Sequence, residues 1–562
     1  AFKNSCGYTL PDDPETFGGY FDSGSTWTTN SLTETRNDDY NVTSQAIANY
    51  MGTFGSHNLT VMAGFENYYM KSESLGAARD KYELTGYPYL NIGSEDFQTN
   101  SGTGSEYTSN SVFGRVIYSY ADRYLFQANV RHDGSSRFAK GYRWGTFPSF
   151  SAGWVASEEK FMKNLKWDWL SFLKLRGSWG MLGNERIGSN YFPYIALMSF
   201  GNSLFYMADG SVVSDKTARP AVLAVEDITW ETTTSTDLGL DVNFLNNRLQ
   251  FHFDYYWKET KDMLLNIEIP YFMGYNNPST NAGKMSTHGY DIEVAWNDQI
   301  GDFKYGVNVN FSDFLSKIDY MNDGEQISNG KIKRAGVLFN EYYGYVCDGI
   351  YQTQEEVNNS ARTSTTVTVG DLKYRDISGP DGVPDGIISP EYDRVPLGNS
   401  LPRFQYGGTF NASYKGIDFS IAFQGIGKQN SYLSTAMVQP LRDNYGSVPS
   451  IIEGKYWSPF NTAEENLSAR YPRLSNVSKS NNYATSSFWM FNGSYFRLKN
   501  LTLGYTLPET WTQKAGIDRV RFYISGSDLF CLSNFPDGWD PEMGASSYPI
   551  TTSLVMGLQV NF

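Results

Sequence analysis

Residues 401–425 read LPRFQYGGTFNASYKGIDFSIAFQG and alternate between apolar and polar side chains. The alternation stops at Lys415 and Gly416 and then resumes. A period of two places alternate side chains on opposite faces of a β-strand, and a two-residue turn joins antiparallel strands. The stretch therefore predicts a β-hairpin with one apolar and one polar face. Its apolar positions are Phe404, Tyr406, Phe410, Ala412, Tyr414, Ile417, Phe419, Ile421 and Phe423.

A half-buried sheet of a soluble sandwich would give the same alternation in a single hairpin. The pattern recurs, however, near residues 249–257, 303–311, 519–525 and 553–562, with Tyr, Trp and Phe on one face and Asn, Gln, Asp, Arg and Lys on the other. A soluble core does not face so much polarity across so many strands, whereas a transmembrane barrel with a wet lumen requires it. The sequence therefore predicts an all-β fold, a transmembrane antiparallel β-barrel.

The composition excludes several other classes. The chain has 562 residues and a net charge of −15, which disfavours binding to nucleic acid through a basic face. No run approaches the roughly 18 apolar residues of a membrane-spanning helix. Cys6, Cys347 and Cys531 are odd in number and far apart, so they imply no disulfide framework. The histidines show no metal-ligand spacing; they are His57, His132, His252 and His288.

Short and long connections alternate along the predicted strands. Tight turns follow residues 42–54 and 238–244, while long polar connections occupy residues 319–402 and 426–494. Tight turns at one end and long loops at the other are typical of outer-membrane barrels. Counting strands, including separate ones at 25–35 and 42–54, gives about 16. One strand changes phase, which predicts a bulge near Lys499 and Asn500.

Several stretches together carry a family resemblance. They include SVFGRVIYSYADRYLFQANVRHDGSSRF from Ser111, KLRGSWGMLGN from Lys174, GDLKYRDISGPDGVPDG from Gly370 and YFRLKNLTLGYTLP from Tyr495. With these stretches in this order, the chain resembles the SusC/RagA family of TonB-dependent outer-membrane transporters of Bacteroidota. The resemblance implies import of oligosaccharides or peptides through a barrel of about 22 strands.

The same resemblance implies parts and partners beyond residues 1–562. We expect this chain to be the C-terminal part of one barrel domain, with the signal peptide, N-terminal extension, plug and first strands outside it. The implied partners are a SusD-like surface lipoprotein that acts as a lid, the TonB-ExbB-ExbD complex acting through the plug, the N-terminal segment of the same barrel and outer-membrane lipid. The final Phe562 is expected to act as the C-terminal assembly signal.

Several function classes compete with active import. An enzyme could use a carboxylate pair such as Asp381 and Asp385, but their Gly- and Pro-rich loop offers no apolar pocket to raise one pKa, and no hydrolase or phosphate-loop motif appears. We therefore predict no catalytic activity. The barrel could also belong to a passive porin, a surface adhesin or a TonB-dependent siderophore receptor.

Aromatic residues in the long connections are the candidate substrate site. Their flat faces offer stacking surfaces for sugar rings, and their polar edges can form hydrogen bonds. The alternative is that they pack the loops together or meet a partner. The candidates are Tyr342, Tyr343, Tyr345, Tyr456 and Trp457.

The loop 376–393, DISGPDGVPDGIISPEYD, is a candidate calcium site. Its oxygen donors are separated by glycines that permit sharp turns, as in calcium loops, although Pro380 interrupts the usual spacing. The alternative is a turn held by Asx hydrogen bonds without metal. No other cofactor is required. The candidate ligands are Asp376, Ser378, Asp381, Asp385 and Asp393.

Overall fold

The computed structural model describes residues 6–8, 20–22 and 30–562, except 85–86, 166, 187–190, 197, 323, 435–438, 443–447, 449, 476, 537, 544–546 and 549. Its main body is one antiparallel sheet of fifteen strands. The prediction of an all-β fold built from antiparallel strands is confirmed. Within the described residues, no helix is long and apolar enough to cross a membrane.

The fifteen strands follow one another in the sheet in chain order, and each pairs antiparallel with its sequence neighbours. Within the described residues, the first and the last strand each have a partner on one side only. The strands are β1 Ser31–Phe54, β2 His57–Asp80, β3 Gln98–Tyr120, β4 Tyr124–Ser135, β5 Trp144–Val155, β6 Leu170–Asn184, β7 Glu231–Phe244, β8 Leu249–Asn266, β9 Ser279–Ile300, β10 Phe303–Met321, β11 Arg403–Tyr414, β12 Ile417–Lys428, β13 Tyr495–Thr506, β14 Arg519–Ser533 and β15 Ser553–Asn561.

Smaller elements lie in the connections. The short strands are Cys6–Tyr8 with Tyr20–Asp22, Met198–Tyr206 with Val212–Pro220, Cys347–Ile350 with Leu372–Tyr374, Asn430–Tyr432 with Met490–Asn492, and a four-stranded sheet of Glu325–Ser328, Lys331–Arg334, Glu341–Tyr345 and Arg394–Asn399. The α-helices are α1 Lys160–Leu165, α2 Gln354–Asn359, α3 Ala463–Leu467, α4 Lys479–Asn482 and α5 Glu509–Thr512. The 3-10 turns are Leu90–Ile92, Glu95–Phe97, Ala156–Glu158, Tyr271–Met273, Ser450–Ile452, Ser487–Trp489 and Gln513–Ala515.

The hairpin β11–β12 forms as its alternation predicts. Phe410 lies opposite Ile421, so the apolar side chains of the two strands share one face. Lys415 and Gly416 both have positive φ, 46° and 88°, as a tight hairpin turn that follows the right-handed twist requires. A Cβ at Gly416 would lie 2.6 Å from the carbonyl oxygen of Thr506, so glycine also allows this close approach.

The apolar face of the large sheet is unusually exposed. Phe126, Phe150, Leu238 and Leu558 are between 44% and 58% exposed. Aromatic rings gather at the ends of the strands beside the short turns, as in the stacked pair Tyr120 and Tyr124, whose centroids are 6.2 Å apart. A greasy outer band edged by aromatic rings is the surface that a barrel presents to lipid.

Strand lengths differ from the prediction. The two strands expected at 25–35 and 42–54 are replaced by the single strand β1, whereas residues 25–29 lie outside the described part of the chain. β3 begins at Gln98, well before the apolar alternation that starts at Val112. Residues 98–110 are polar on both faces, so they pair as a ladder without a period-two signal. The sheet consequently has fifteen strands instead of about sixteen.

Two further details concern irregular positions. The predicted bulge is confirmed, because the β13–β14 register shifts between Leu498 and Asn500. Two of the connections between neighbouring strands of the large sheet contain the short helices α1 and α5. Periodicity gives no warning of these helices, since each has six residues or fewer.

A buried ion pair fixes the point where β11 begins. The Asp313 side chain is 6% exposed and accepts hydrogen bonds from the Arg403 guanidinium, one of them at 2.5 Å. It also accepts a bond of 3.2 Å from the backbone N–H of Phe404, whose φ is 56°. The carboxylate therefore stabilises the left-handed backbone through which the connection 322–402 rejoins the sheet.

We expect Asp313→Asn to lower the free energy of unfolding by about 3 kcal/mol, because it leaves Arg403 without its buried anionic partner. Denaturant unfolding of the barrel in phospholipid vesicles measures the change. Asp302→Asn is the matched control at the other end of β11: its 3.8 Å pair with Lys415 is well exposed, so the expected loss is below about 1 kcal/mol. Equal losses in both variants would contradict the assigned role of Asp313.

Candidate functional site

Charged side chains cluster on the polar face of the sheet, the face predicted to line the lumen. Arg176 on β6 donates to Asp254 at 2.7 Å and to Asp241 at 3.2 Å, and it lies 3.7 Å from Asp237. β6, β7 and β8 are adjacent, so the strand register brings these groups together. One guanidinium thus bridges three carboxylates on the wall.

The same wall carries a groove and a second charged cluster. On β4, Arg131 lies 3.1 Å from Glu66 and 2.7 Å from Asp133. These charged side chains are partly exposed, which is favourable only where water can reach them, so this face suits a hydrated passage. The groove, of about 400 Å³, has among its lining residues Gln127, Ser151, Lys174, Arg176, Ser178 and Asp237.

A third cluster lies where β13 leaves its long connection. The Arg497 side chain is 4% exposed, lies 2.6 Å from Asp540 and also pairs with Glu542. Gln424 on β12 donates to the same Glu542 at 2.9 Å. The segment 538–543 is therefore held against the wall of the sheet by its carboxylates.

The sequence prediction did not single out these three arginines. A signal for them exists, because Arg131, Arg176 and Arg497 all occupy polar positions within alternating strands. Their partners are harder to predict: Asp254 lies 78 residues from Arg176, and only the strand register makes them neighbours.

The three tyrosines of the YYGY segment lie together but are buried. Tyr342, Tyr343 and Tyr345 are between 8% and 9% exposed. The Tyr345 ring stacks on Tyr374 at a centroid distance of 5.0 Å, and the Arg394 guanidinium lies 5.7 Å above the ring of Tyr343. Burial raises the pKa of the Tyr342 and Tyr345 phenols. Protein groups therefore occupy these faces, and sugar stacking on them stays a prediction.

The other two substrate candidates belong to a different connection. Tyr456 forms a β-bridge with Tyr471, and the Trp457 indole N–H donates to Gln352 at 3.2 Å. The Trp457 ring also packs on Gly370, where a Cβ would collide with it. Both residues are half-buried. Trp457 thus joins the two longest connections, and its contact with substrate is likewise a prediction.

The carboxylates of the loop 376–393 bind backbone amides. Asp393, which is fully buried, accepts from Ile377 and Ser389 at 2.7 Å each. Asp376 accepts from the backbone N–H of Gly386 at 2.7 Å, and Asp385 accepts from Ile387 at 2.9 Å. The Asp385 contact, to the residue two positions further on, is an Asx turn, whereas Asp376 and Asp393 bind amides more distant in the loop.

The candidate calcium ligands do not form a common set in this arrangement. Asp381 is exposed, and Ser378 donates weakly to the Gly379 carbonyl at 3.5 Å. No group of three or more His, Cys, Asp or Glu side chains converges as a metal site anywhere in the described residues. Calcium binding therefore stays a prediction, as does the assembly role of Phe562, which is 88% exposed just beyond β15.

Comparison with known proteins places the chain in a family. The family model described as TonB dependent receptor-like, beta-barrel matches residues 2–525. The TonB-dependent receptor P3 of Formosa agariphila is 30% identical over 560 residues, which cover 93% of this chain and 52% of that protein. The TonB-dependent receptor SusC of Bacteroides thetaiotaomicron is 28% identical over 541 residues, covering 93% of this chain and 50% of SusC.

Solved structures agree on the fold. The RagAB peptide transporter superposes with a TM-score of 0.77 at 23% identity, over 95% of this chain and 56% of that one. The chain spans about half the length of the curated relatives that it matches. The predicted resemblance to SusC and RagA is confirmed, and the family consists of transporters rather than enzymes. The chain belongs to the family of TonB-dependent receptor β-barrels, which are proteins of the bacterial outer membrane.

Proposed function

We propose that this chain takes part in the TonB-dependent import of oligosaccharides or peptides across the outer membrane, in the manner of SusC. The observation that carries the proposal is the family match over residues 2–525. The hydrated wall with Arg131 and Arg176 supports it, because a polar solute needs such a surface to cross the membrane. The similarity to RagAB, a peptide transporter, supports including peptides.

We propose further that the barrel is completed by strands and a plug from another part of the same polypeptide. Two observations support this: the coverage of the relatives, and the outer strands β1 and β15, which have partners on one side only within the described residues. Unpaired backbone groups in lipid cost several kcal/mol each. The plug would receive the force of the TonB complex. A SusD-like lipoprotein is the proposed partner on the long-loop side, where the connections 322–402 and 429–494 offer a large surface.

We expect uptake to depend on energy. Deleting TonB, or collapsing the proton gradient, should reduce uptake of fluorescent oligosaccharides and peptides to the level of a strain lacking this gene. Uptake of a small solute through passive porins is the control and should not change. Import that continues at the normal rate without TonB would contradict active transport and favour a passive porin.

We expect the transporter to purify in mild detergent with a surface lipoprotein. A stable complex needs an interface of at least about 1,000 Å², which loops of this length can supply. Affinity purification followed by mass spectrometry identifies the proteins that copurify. An outer-membrane protein of another family, purified in the same way, is the control. Repeated recovery of the barrel without a lipoprotein would contradict the proposed lid.

A further inference from the structure

The two longest connections share a buried carboxylate. Asp371, in the connection 322–402, is 0% exposed. It accepts hydrogen bonds at 2.7 Å from Arg473, at 2.8 Å from Ser478 and at 3.0 Å from Asn482, all in the connection 429–494. Its own loop contributes the backbone N–H of Thr368 at 2.9 Å. Both oxygens of Asp371 are therefore bonded, and most of their partners lie more than 100 residues away.

Two neighbouring asparagines extend this contact. Asn482 accepts from the backbone N–H of Leu372 at 2.9 Å, and Asn481 donates to the carbonyl oxygen of Leu372 at 3.0 Å. Both asparagines are 3% exposed or less. The two side chains thus bond both the N–H and the C=O of Leu372, as a neighbouring strand would. These bonds fix the position of one loop along the other.

Apolar packing closes around these polar groups. One cluster joins Tyr345, Leu372, Tyr374 and Ile388 of the first loop with Ala484 and Phe488 of the second. Cys347 lies in this cluster, and its backbone N–H donates to the Ser487 hydroxyl at 2.8 Å. Burial raises the pKa of the Cys347 thiol to about 11.

A third connection links this assembly to the large sheet. Phe535 is buried against Leu433 and Trp489, and Trp539 packs on the same cluster. A few residues further along the chain, Asp540 and Glu542 hold Arg497 of β13. The described residues of 534–543 are therefore attached to the loops by apolar contact and to the sheet by ion pairs.

From these contacts we propose that the described residues of 345–374 and 456–489 form one rigid body, locked by Asp371, and that residues 538–543, bound by Arg497, are one of its links to the large sheet. Two independent long loops would change shape separately when a partner or substrate arrives. A single locked body presents a fixed surface, and the Arg497 ion pairs help to hold it against the large sheet. This inference does not depend on which solute is imported or on which partner docks.

Hydrogen exchange of the full chain, assembled in detergent and followed by mass spectrometry, tests the lock. Asp371→Asn replaces an acceptor with an amide facing the donors of Arg473 and Asn482. We expect exchange to become about 100-fold faster or more in both segments, including α4 in the loop that was not mutated. The matched control is Asp348→Asn, which removes an exposed pair with Arg375 in the same loop and should change exchange less than about 5-fold.

A second variant tests the link between Arg497 and the carboxylates of Asp540 and Glu542. Arg497→Gln should accelerate exchange in residues 534–543 while leaving both locked segments protected. Heat-modifiable migration on gels reports barrel assembly in every variant. Faster exchange after Asp371→Asn in the mutated loop alone would overturn the proposal, as would loss of protection in the body after Arg497→Gln.

A measurement on the unsubstituted loops guards against failed assembly of the Asp371 variant. With Cys6 and Cys531 changed to serine, alkylation of Cys347 reports opening of the body. Under increasing denaturant, we expect Cys347 labelling and the exchange of both segments to share one midpoint, below that of the strands. Separate midpoints for the two segments would show that the loops open independently and would overturn the proposal.

Discussion

The constraint on which the structure depends is that a backbone amide in lipid has no water to bond. Each polar backbone group there must find a partner within the protein. Between β1 and β15 the chain meets this demand with a continuous antiparallel ladder, and within the described residues only the outer edges of these two strands lack a partner. Once the ladder is fixed, the pleat places alternate side chains on the lipid and on the water side. The exposed Leu238 and the charged Arg176 are two consequences of one register.

Contact with lipid also decides which parts of the fold could be predicted from the sequence. Wherever lipid imposes a greasy face, as in β11 and β12, alternation predicts both the strands and their turn. Beyond the lipid the demand for an apolar face disappears, although the ladder continues. The polar first half of β3 therefore looks like a loop in the sequence, and residues 36–41 of β1 look like a break between two strands. The fold class could be predicted from the sequence, whereas the strand ends above the membrane could not.

The candidate site shows a similar division. The YYGY tyrosines are easily noticed as aromatic residues in a long connection, yet Tyr345 stacks on Tyr374, a contact set by the path of the loop. The carboxylates of Asp376 and Asp393 resemble metal ligands by spacing, but backbone amides of their own loop bind them. Residue type and spacing indicate which chemistry is available. They do not tell whether a neighbour within the protein already uses it.

Two arginine–aspartate pairs of this molecule, one on the wall and one between the loops, differ in how deeply they are buried. On the wall, Arg176 and its carboxylates keep some contact with solvent, with Arg176 31% and Asp254 22% exposed. Water weakens the attraction between the charges of such a pair, so the pair costs little to open. Asp371 is fully dry, so its charge is tolerable only while Arg473, Ser478 and Asn482 surround it. An exposed pair can therefore open at little cost when a solute passes. The buried pair holds its loops in one arrangement, because separating the loops would leave the charge of Asp371 buried without a partner.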